Sequence, residues 1–152
     1  MSRPISKGCA KSDIVVLPND TNHYGNIFGG ALLSYMDRTA FIAARKYAEN
    51  DLVTVALNDM VFKAPVKVGE TAEISAKVCY VGKTSLDVCV TVTSGEKIVV
   101  DTAKFVFVSV DAGGKPTPIA QPSFANAEEK AEFERRAKER EALNACRKQA
   151  IR

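Results

Sequence analysis

A change of period near residue 50 constrains this chain more than any other feature. Between residues 29 and 49, apolar residues such as Leu32, Leu33, Met36, Phe41, Ile42 and Tyr47 fall on every side of a helical projection. A helix that is apolar all round is one the rest of the fold buries. Beyond it the pattern switches to period two, the mark of strands with one covered face. Residues 52–62 are β-branched and apolar and stop short of Pro65. Residues 70–81 alternate, with Ala72, Ile74, Ala76, Val78 and Tyr80 on one side, and residues 85–93 alternate with Leu86, Val88, Val90 and Val92. Gly82-Lys83 and Ser94-Gly95-Glu96 are the turns between these runs, and residues 97–110 form a long last strand. Turns this short join antiparallel neighbours. With a short first strand at 13–17, ended by Pro18, the expectation is an α+β domain: an antiparallel sheet of four or five strands wrapped around one buried helix.

Bulk properties narrow the function classes. The 152 residues are 46% apolar and 26% charged, an ordinary globular balance for one domain with a real core. A formal charge of +3, with no basic run in the body of the chain, argues against nucleic acid while suiting a small polyanionic ligand. No stretch approaches the roughly 18–20 apolar residues of a membrane span, and residues 1–12 lack a signal-peptide core, so a cytoplasmic location is expected. Cys9, Cys79, Cys89 and Cys146 form no C-x-x-C and accompany a single histidine, so no metal site is expected. Cys79 and Cys89 fall on neighbouring strands, where a disulfide is conceivable; reduced core thiols are the expected state.

The end of the chain reads differently. Residues 111–122 are a Gly/Pro-rich linker, and Asn126-Ala127-Glu128-Glu129 has the form of a capping box opening a charged helix as far as residue 150. Pairs Glu132–Arg136 and Glu134–Lys138 have helix-supporting spacing, whereas Phe133, Leu143 and Cys146 make only a thin apolar stripe. The division expected is a main domain at 1–122 and a lightly docked helical extension at 123–152.

Chemistry concentrates where the loop meets the first helix. Asp37 lies among small and apolar helical neighbours (Leu33, Ser34, Ala40 and Phe41), and such a setting desolvates a carboxylate, raises its pKa and makes it a general base near neutral pH. A surface carboxylate, or an ion pair with Arg38, is the alternative. Asn26 stands just before the helix, as an N-cap or as a ligand-facing amide. Gly25, Gly29 and Gly30 let backbone approach a ligand, and the amides of Gly29 and Gly30 at the helix start suit developing negative charge. An amide side chain, bare N–H groups and a carboxylate are the parts of an acyl-transfer site. His23 is the one histidine, without a nucleophile-elbow serine to serve. Lys63, Lys67 and Lys83, with Thr84 and Ser85, offer point charges and hydroxyls for phosphates, or are ordinary solvated side chains.

The segment Asp20-Thr21-Asn22-x-x-Gly25-Asn26-Ile27-Phe28-Gly29-Gly30-x6-Asp37 resembles the signature of hot-dog-fold acyl-CoA thioesterases of the short bacterial type. Further similar motifs follow in order: Val53-Thr54-Val55-Ala56, Phe62-x-x-Pro65-Val66-x-Val68-Gly69-Glu70, Val81-Gly82-Lys83-Thr84-Ser85 and Val108-Ser109-Val110-Asp111, then Gly114-Lys115-Pro116-x-Pro118. Together they span about residues 13–118. The resemblance implies a hot-dog fold, dimers with a sheet continuous across two subunits, and hexamers built of three dimers. It implies hydrolysis of fatty acyl-CoA to free acid and coenzyme A without metal or separate cofactor, coenzyme A entering as part of the substrate. In the family an aspartate on the helix and an asparagine on the loop act from opposite subunits; by resemblance these are Asp37 and Asn26, with the Gly29 and Gly30 amides holding the oxyanion. A hydratase of acyl thioesters and a non-catalytic acyl-CoA-binding or regulatory protein on the same fold are the alternatives; the presence of both Asn26 and Asp37 favours the hydrolase.

Overall fold

The structure, a computed structural model, describes residues 2–150, of Ala150 the backbone alone. Its elements are β1 (Ser2–Pro4), a 3-10 turn (Ile5–Lys7), β2 (Cys9–Val15), a second 3-10 turn (Pro18–Asp20) and α1 (Gly29–Ala48). Then come β3 (Asp51–Asn58), β4 (Thr71–Val81), β5 (Ser85–Ser94), β6 (Lys97–Val110), β7 (Gln121–Ser123) and α2 (Ala127–Ala150). Five strands form one antiparallel sheet in the order β2-β4-β5-β6-β3. Its inner face curves around α1 in the hot-dog layout that the motifs imply.

The alternation of each strand decides which face it turns to α1. Ile74, Val88, Val90, Val92, Phe105 and Phe107 are essentially inaccessible, packed with Leu32, Met36, Ala40, Ala43, Ala44 and Tyr47 of α1. Each large side chain so covered stabilises the fold by about 1.5–3 kcal/mol relative to exposure. Arg45 and Lys46 lie in the last turn of α1, where they complement the helix dipole. Glu49 then ends the helix in a left-handed conformation, its amide bonded to the Arg45 carbonyl.

Four expectations are corrected. The first strand is longer than 13–17: it begins at Cys9, because residues 9–12 pair in register with Lys77 to Ile74 of β4. Their pattern (Cys, Ala, Lys, Ser) carries little hydrophobic alternation, so only the pairing reveals them. The run at 52–62 stops at Asn58, since Asp59 turns left-handed and ends the ladder. Part of the stretch 111–122 is structured, for Ile119 is buried and β7 pairs in parallel with β1. Finally, α1 is not covered all round in one chain: Phe41 and Ile42 are exposed, as are Val53 and Val55 on β3, the open edge of the sheet.

At the far end, α2 lies on the outer face of the sheet. Asn126 Oδ1 accepts from the Glu129 amide and Glu129 accepts from the Ala125 amide, so the helix starts as its sequence indicates. Phe133 stacks on Tyr80 and meets Phe124, and Arg140 pairs with Asp87. All four cysteines are free thiols. No helix among the described residues is long and apolar enough to cross a membrane.

Candidate active site

The glycine-bearing loop is built by its own side chains. Asn22 Oδ1 accepts from the amides of Tyr24 (3.0 Å) and Asn26 (3.2 Å), and the Asn22 amide donates to the Asn26 carbonyl. Gly25, at φ +80°, supplies the left-handed residue that this tight reversal needs. The loop is tied to the segment after Pro65: the Ile27 amide donates to Val66, and the Val68 amide to Gly25. Asp20 closes the base of the loop, its carbonyl accepting from Phe28 and its carboxylate from the Tyr35 hydroxyl at 3.2 Å. Burial, and next that hydrogen bond, push the Tyr35 phenol above its ordinary range.

This scaffold presents Asn26 beside the start of α1. The N-cap residue is Phe28, which gives no side-chain bond to the helix, so Asn26 is not the cap. Among the described residues the amides of Gly29 and Gly30 have no protein acceptor. Asn26 Oδ1 is buried and likewise unpartnered. A buried carbonyl oxygen without a donor costs about 1–3 kcal/mol, a loss that a bound water or ligand removes. Asn26 and Gly29 line a cavity of about 340 Å³ with Leu32, Phe62, Lys63 and Val99. Phe62 forms one wall: its ring carbons lie 3.2 and 3.3 Å from where a Gly29 side chain would begin, so a residue larger than glycine would crowd this opening.

Asp37 lies elsewhere. It is half-buried, faces β3, and accepts a hydrogen bond from Thr54 Oγ1 at 2.9 Å. It joins no ion pair among the described residues, so neither the pairing with Arg38 nor the fully apolar setting expected from the sequence is realised within one chain. Seven residues of helix separate it from Gly30, about 10 Å along the axis, beyond the reach of an aspartate side chain. Asp37 and the free amides of its own chain therefore do not meet around one reacting group. What borders Asp37 instead is β3, an open edge of the sheet, with Phe41 and Ile42 exposed on the helix after it.

The remaining candidates are scattered. His23 is exposed at the loop tip, 4.0 Å from the Tyr24 ring. Lys63 pairs with Asp101 at 3.0 Å, and its amide is bonded to Val99. Lys83, Thr84 and Ser85 sit at the β4–β5 turn, where the Thr84 carbonyl accepts from Ser109. Val99 and Ser109 are ten residues apart on β6, so Lys63 and Lys83 are separated by about 30 Å within one chain. Ser85 Oγ contacts Arg140 of α2 at 3.4 Å. Lys67 is exposed; its amide holds the Glu70 carboxylate, and that bond, ahead of Lys97, keeps the Glu70 carboxyl below its ordinary range. Thr54 is the residue that the composition of its strand does not flag. A threonine in a run of valines reads as an ordinary strand residue, and only the packing of α1 against β3 brings it to Asp37.

Comparison with known proteins gives this arrangement its context. The family model described as the thioesterase superfamily matches residues 24–100. A Bacillus subtilis protein named as an uncharacterized acyl-CoA thioester hydrolase is 32% identical over 128 residues, covering 78% of this chain and 74% of its own. A hexameric acyl-CoA thioesterase solved in its apo form is 34% identical, with a TM-score of 0.85 over 100% of this chain and 99% of that one. An acyl-CoA hydrolase from Staphylococcus aureus, solved with butyryl coenzyme A, coenzyme A and coenzyme A disulfide, is 28% identical, with a TM-score of 0.81 over 99% and 97%. That hydrolase was also solved with alanine in place of an asparagine, of an aspartate 15 residues later, and of a threonine 17 residues after the aspartate. The matched family model takes in the loop, α1, β3, β4 and β5, and the relatives extend the likeness over most of the remainder: this chain belongs to the thioesterase superfamily.

Proposed function

We propose that the protein hydrolyses acyl-CoA thioesters to a free acid and coenzyme A, at sites shared between two copies of the chain. The observation that carries this reading is the separation of the parts. Asp37, oriented by Thr54, stands at an uncovered apolar edge, about 10 Å along α1 from the unpartnered amides and from Asn26. An isologous dimer formed over the β3 edge pairs the open strand and covers the exposed Phe41 and Ile42 of α1. It brings Asp37 of one copy toward the loop of the other and, by excluding water, supplies the desolvation that one chain lacks. The hexameric relative supports assembly of such dimers into a hexamer.

In this site Asp37 takes the proton of a water that attacks the thioester carbonyl, or attacks the carbonyl itself. The Gly29 and Gly30 amides receive the developing oxyanion, and the Asn26 carbonyl orients water or substrate. Asn22, Asp37 and Thr54 of this chain stand at the same two intervals as the residues altered in the Staphylococcus enzyme. This supports a positioning role for Thr54, which donates to the base, and for Asn22, whose carbonyl is spent on shaping the loop that presents Asn26. Lys63 and the Lys83-Thr84-Ser85 turn serve coenzyme A phosphates as members of different subunits, since one chain holds them far apart. Residues 1–122 are the catalytic unit and 123–152 an extension, of which α2 packs on the outer face of the sheet.

The test is thiol release from acyl-CoAs ranging from acetyl to palmitoyl. Turnover by the wild type, its loss in Asp37→Ala with an unchanged oligomer, and a partial loss in Thr54→Ala are expected. Binding of acyl-CoA without turnover, or a fully active Asp37→Ala protein, overturns the proposal.

A further inference from the structure

On the face of the sheet turned away from α1, α2 covers polar and sulfur-bearing groups. Cys89 of β5 is in register with Lys77 of β4 on one side and Lys104 of β6 on the other. Cys79 sits in the bulge of β4 between Val78 and Tyr80. Both thiols are buried, at 4% and 6% exposure, on paired antiparallel strands, Cys79 beside Phe133 of α2 and Cys89 beside Arg136. Cys79 Sγ also donates to the Asp87 carbonyl at 3.5 Å.

Burial usually makes a cysteine inert, whereas cationic surroundings and an access route make it reactive. Two grooves border α2. One is lined by Cys79 with Ile5, Lys77, Glu129 and Phe133. The other, of about 370 Å³, is lined by Cys89 with Lys77, Thr91, Thr102, Glu132 and Arg136. The two grooves share Cys9, Lys77 and Glu132, so both thiols border open space on the same side of the helix, next to the exposed Cys9. Lys104 is almost wholly buried beside Cys89, and Arg136 Nε is buried with no partner. The neighbouring Cys79 thiol, then Arg136 and Lys104, hold the Cys89 thiol below its ordinary range. Burial and then Asp87 oppose this; Glu139 pairs with both Lys104 and Arg136, and Glu132 partly neutralises Lys77. The neighbouring Cys89 thiol, and burial, raise Cys79.

We propose that Cys79 and Cys89 form an oxidisable dithiol site for small hydroperoxides, closing to a disulfide between β4 and β5 beneath α2. The Cys89 thiolate attacks one peroxide oxygen: an S–O bond forms, the O–O bond breaks, and the other oxygen leaves as water after taking a proton. Cys79 then attacks the Cys89 sulfur. An S–S bond forms, the S–O bond breaks, and the hydroxyl departs as a second water with the Cys79 proton. Two thiols and one hydrogen peroxide become one disulfide and two waters, the peroxide accepting two electrons. Lys104 and Arg136 stabilise the thiolate, and the Asp87 carbonyl loses its sulfur donor as the bond closes.

The experiment uses the full chain with the two exposed thiols removed (Cys9→Ser, Cys146→Ser). The folded protein is treated with hydrogen peroxide, blocked with iodoacetamide and mapped by mass spectrometry. A mass loss of about 2 Da beyond the untreated control, a Cys79–Cys89 linked peptide and reversal by dithiothreitol are expected. Adding Cys79→Ser should arrest oxidation at a dimedone-trapped sulfenic acid on Cys89, and adding Cys89→Ser should slow oxidation of Cys79 about tenfold or more. Thiols that stay reduced in the folded protein, links between rather than within chains, or a sulfenic acid confined to Cys79 overturn the proposal. The Cys79–Cys89 pair is read directly with both thiols in place, so the outcome stands whether or not either serine variant folds.

Discussion

Two helices lie on opposite faces of one sheet and are held there by different physics. Against the inner face α1 buries Leu32, Met36, Ala40, Ala43 and Tyr47 completely, and its grip is dispersion and the hydrophobic effect over a continuous core. Against the outer face α2 has one aromatic anchor, Phe133, and otherwise polar ones. Arg140 reaches Asp87 and lies 5.4 Å over the Tyr80 ring, Lys77 pairs with Glu132 at 3.2 Å, and Lys104 with Glu139 at 3.8 Å. A core helix is insensitive to pH and salt and fails through cavities. A helix docked by charges fails when one member of a buried pair is removed. The difference also divides the chemistry, since α1 carries Asp37 and the free amides while α2 covers the two thiols.

Four measurements put that contrast at risk. The largest effect is expected at Asp37, where alanine should lower the turnover number by about 10²–10⁴. Arg140→Ala should stay within a few-fold of wild type at saturating substrate; a loss comparable to that of Asp37→Ala, with the fold intact, would show that the outer face takes part in catalysis.

Next come the packing losses. Met36→Ala should cost about 2–5 kcal/mol in denaturant unfolding, and Phe133→Ala, at a half-buried site, about 1–2 kcal/mol. Equal losses would mean that α2 belongs to the core as fully as α1.

Removing Arg140 isolates a carboxylate that is 1% exposed. Burial, against the pull of Arg140, already raises the Asp87 carboxyl above its ordinary range. An acid with a raised folded-state pKa contributes stability that is present at low pH and lost as pH rises through that pKa. Arg140→Ala should therefore be destabilised by about 2–3 kcal/mol at neutral pH and by much less near pH 5. A pH-independent deficit in thermal melts would assign the loss to packing over Tyr80 instead.

The smallest effect concerns Tyr47, whose hydroxyl donates to the Ala120 carbonyl at 2.7 Å. Burial pushes this phenol up to about 12. Its raised value means that the wild type keeps the full contribution below the ordinary tyrosine pKa and loses it as pH rises through about 12. Tyr47→Phe should cost about 1 kcal/mol at neutral pH for the lost hydrogen bond. Between about pH 10 and 12 the variant should escape the steepest part of the alkaline loss, and identical alkaline melting curves would exclude Tyr47 as its source.

Much of the architecture can be read in the residues themselves. The long strand at 97–110 coincides with β6 because its alternation is flanked by Gly95 on one side and the Gly/Pro-rich stretch on the other. The helix at 29–49 is visible because its apolar residues fall on every side of a helical projection, although in one chain Phe41 and Ile42 stay exposed. β2 is legible only in part, since residues 9–12 are specified by their ladder to β4 and not by any pattern of their own. In the site, Gly29, Gly30, Asn26 and Asp37 stand out because glycines before a helix and a carboxylate inside an apolar one are locally unusual. Thr54 does not, because nothing local separates it from other strand threonines.

Local chemistry settles the inventory: which segments are helix and strand, which faces must be covered, and which side chains are candidates for acyl-group chemistry. Those properties depend on neighbours a few residues away, through 3.6-residue and two-residue periodicities. Tertiary packing alone decides that Thr54 aligns Asp37, that Asp37 faces β3 about two helix turns from the amides of its own chain, and that α2 covers the two cysteines of the β4–β5 hairpin. Each of these depends on which elements lie side by side. The glycine-rich loop and its aspartate, neighbours in sequence, are in space the two separated halves of the proposed site, because seven residues of helix hold them apart.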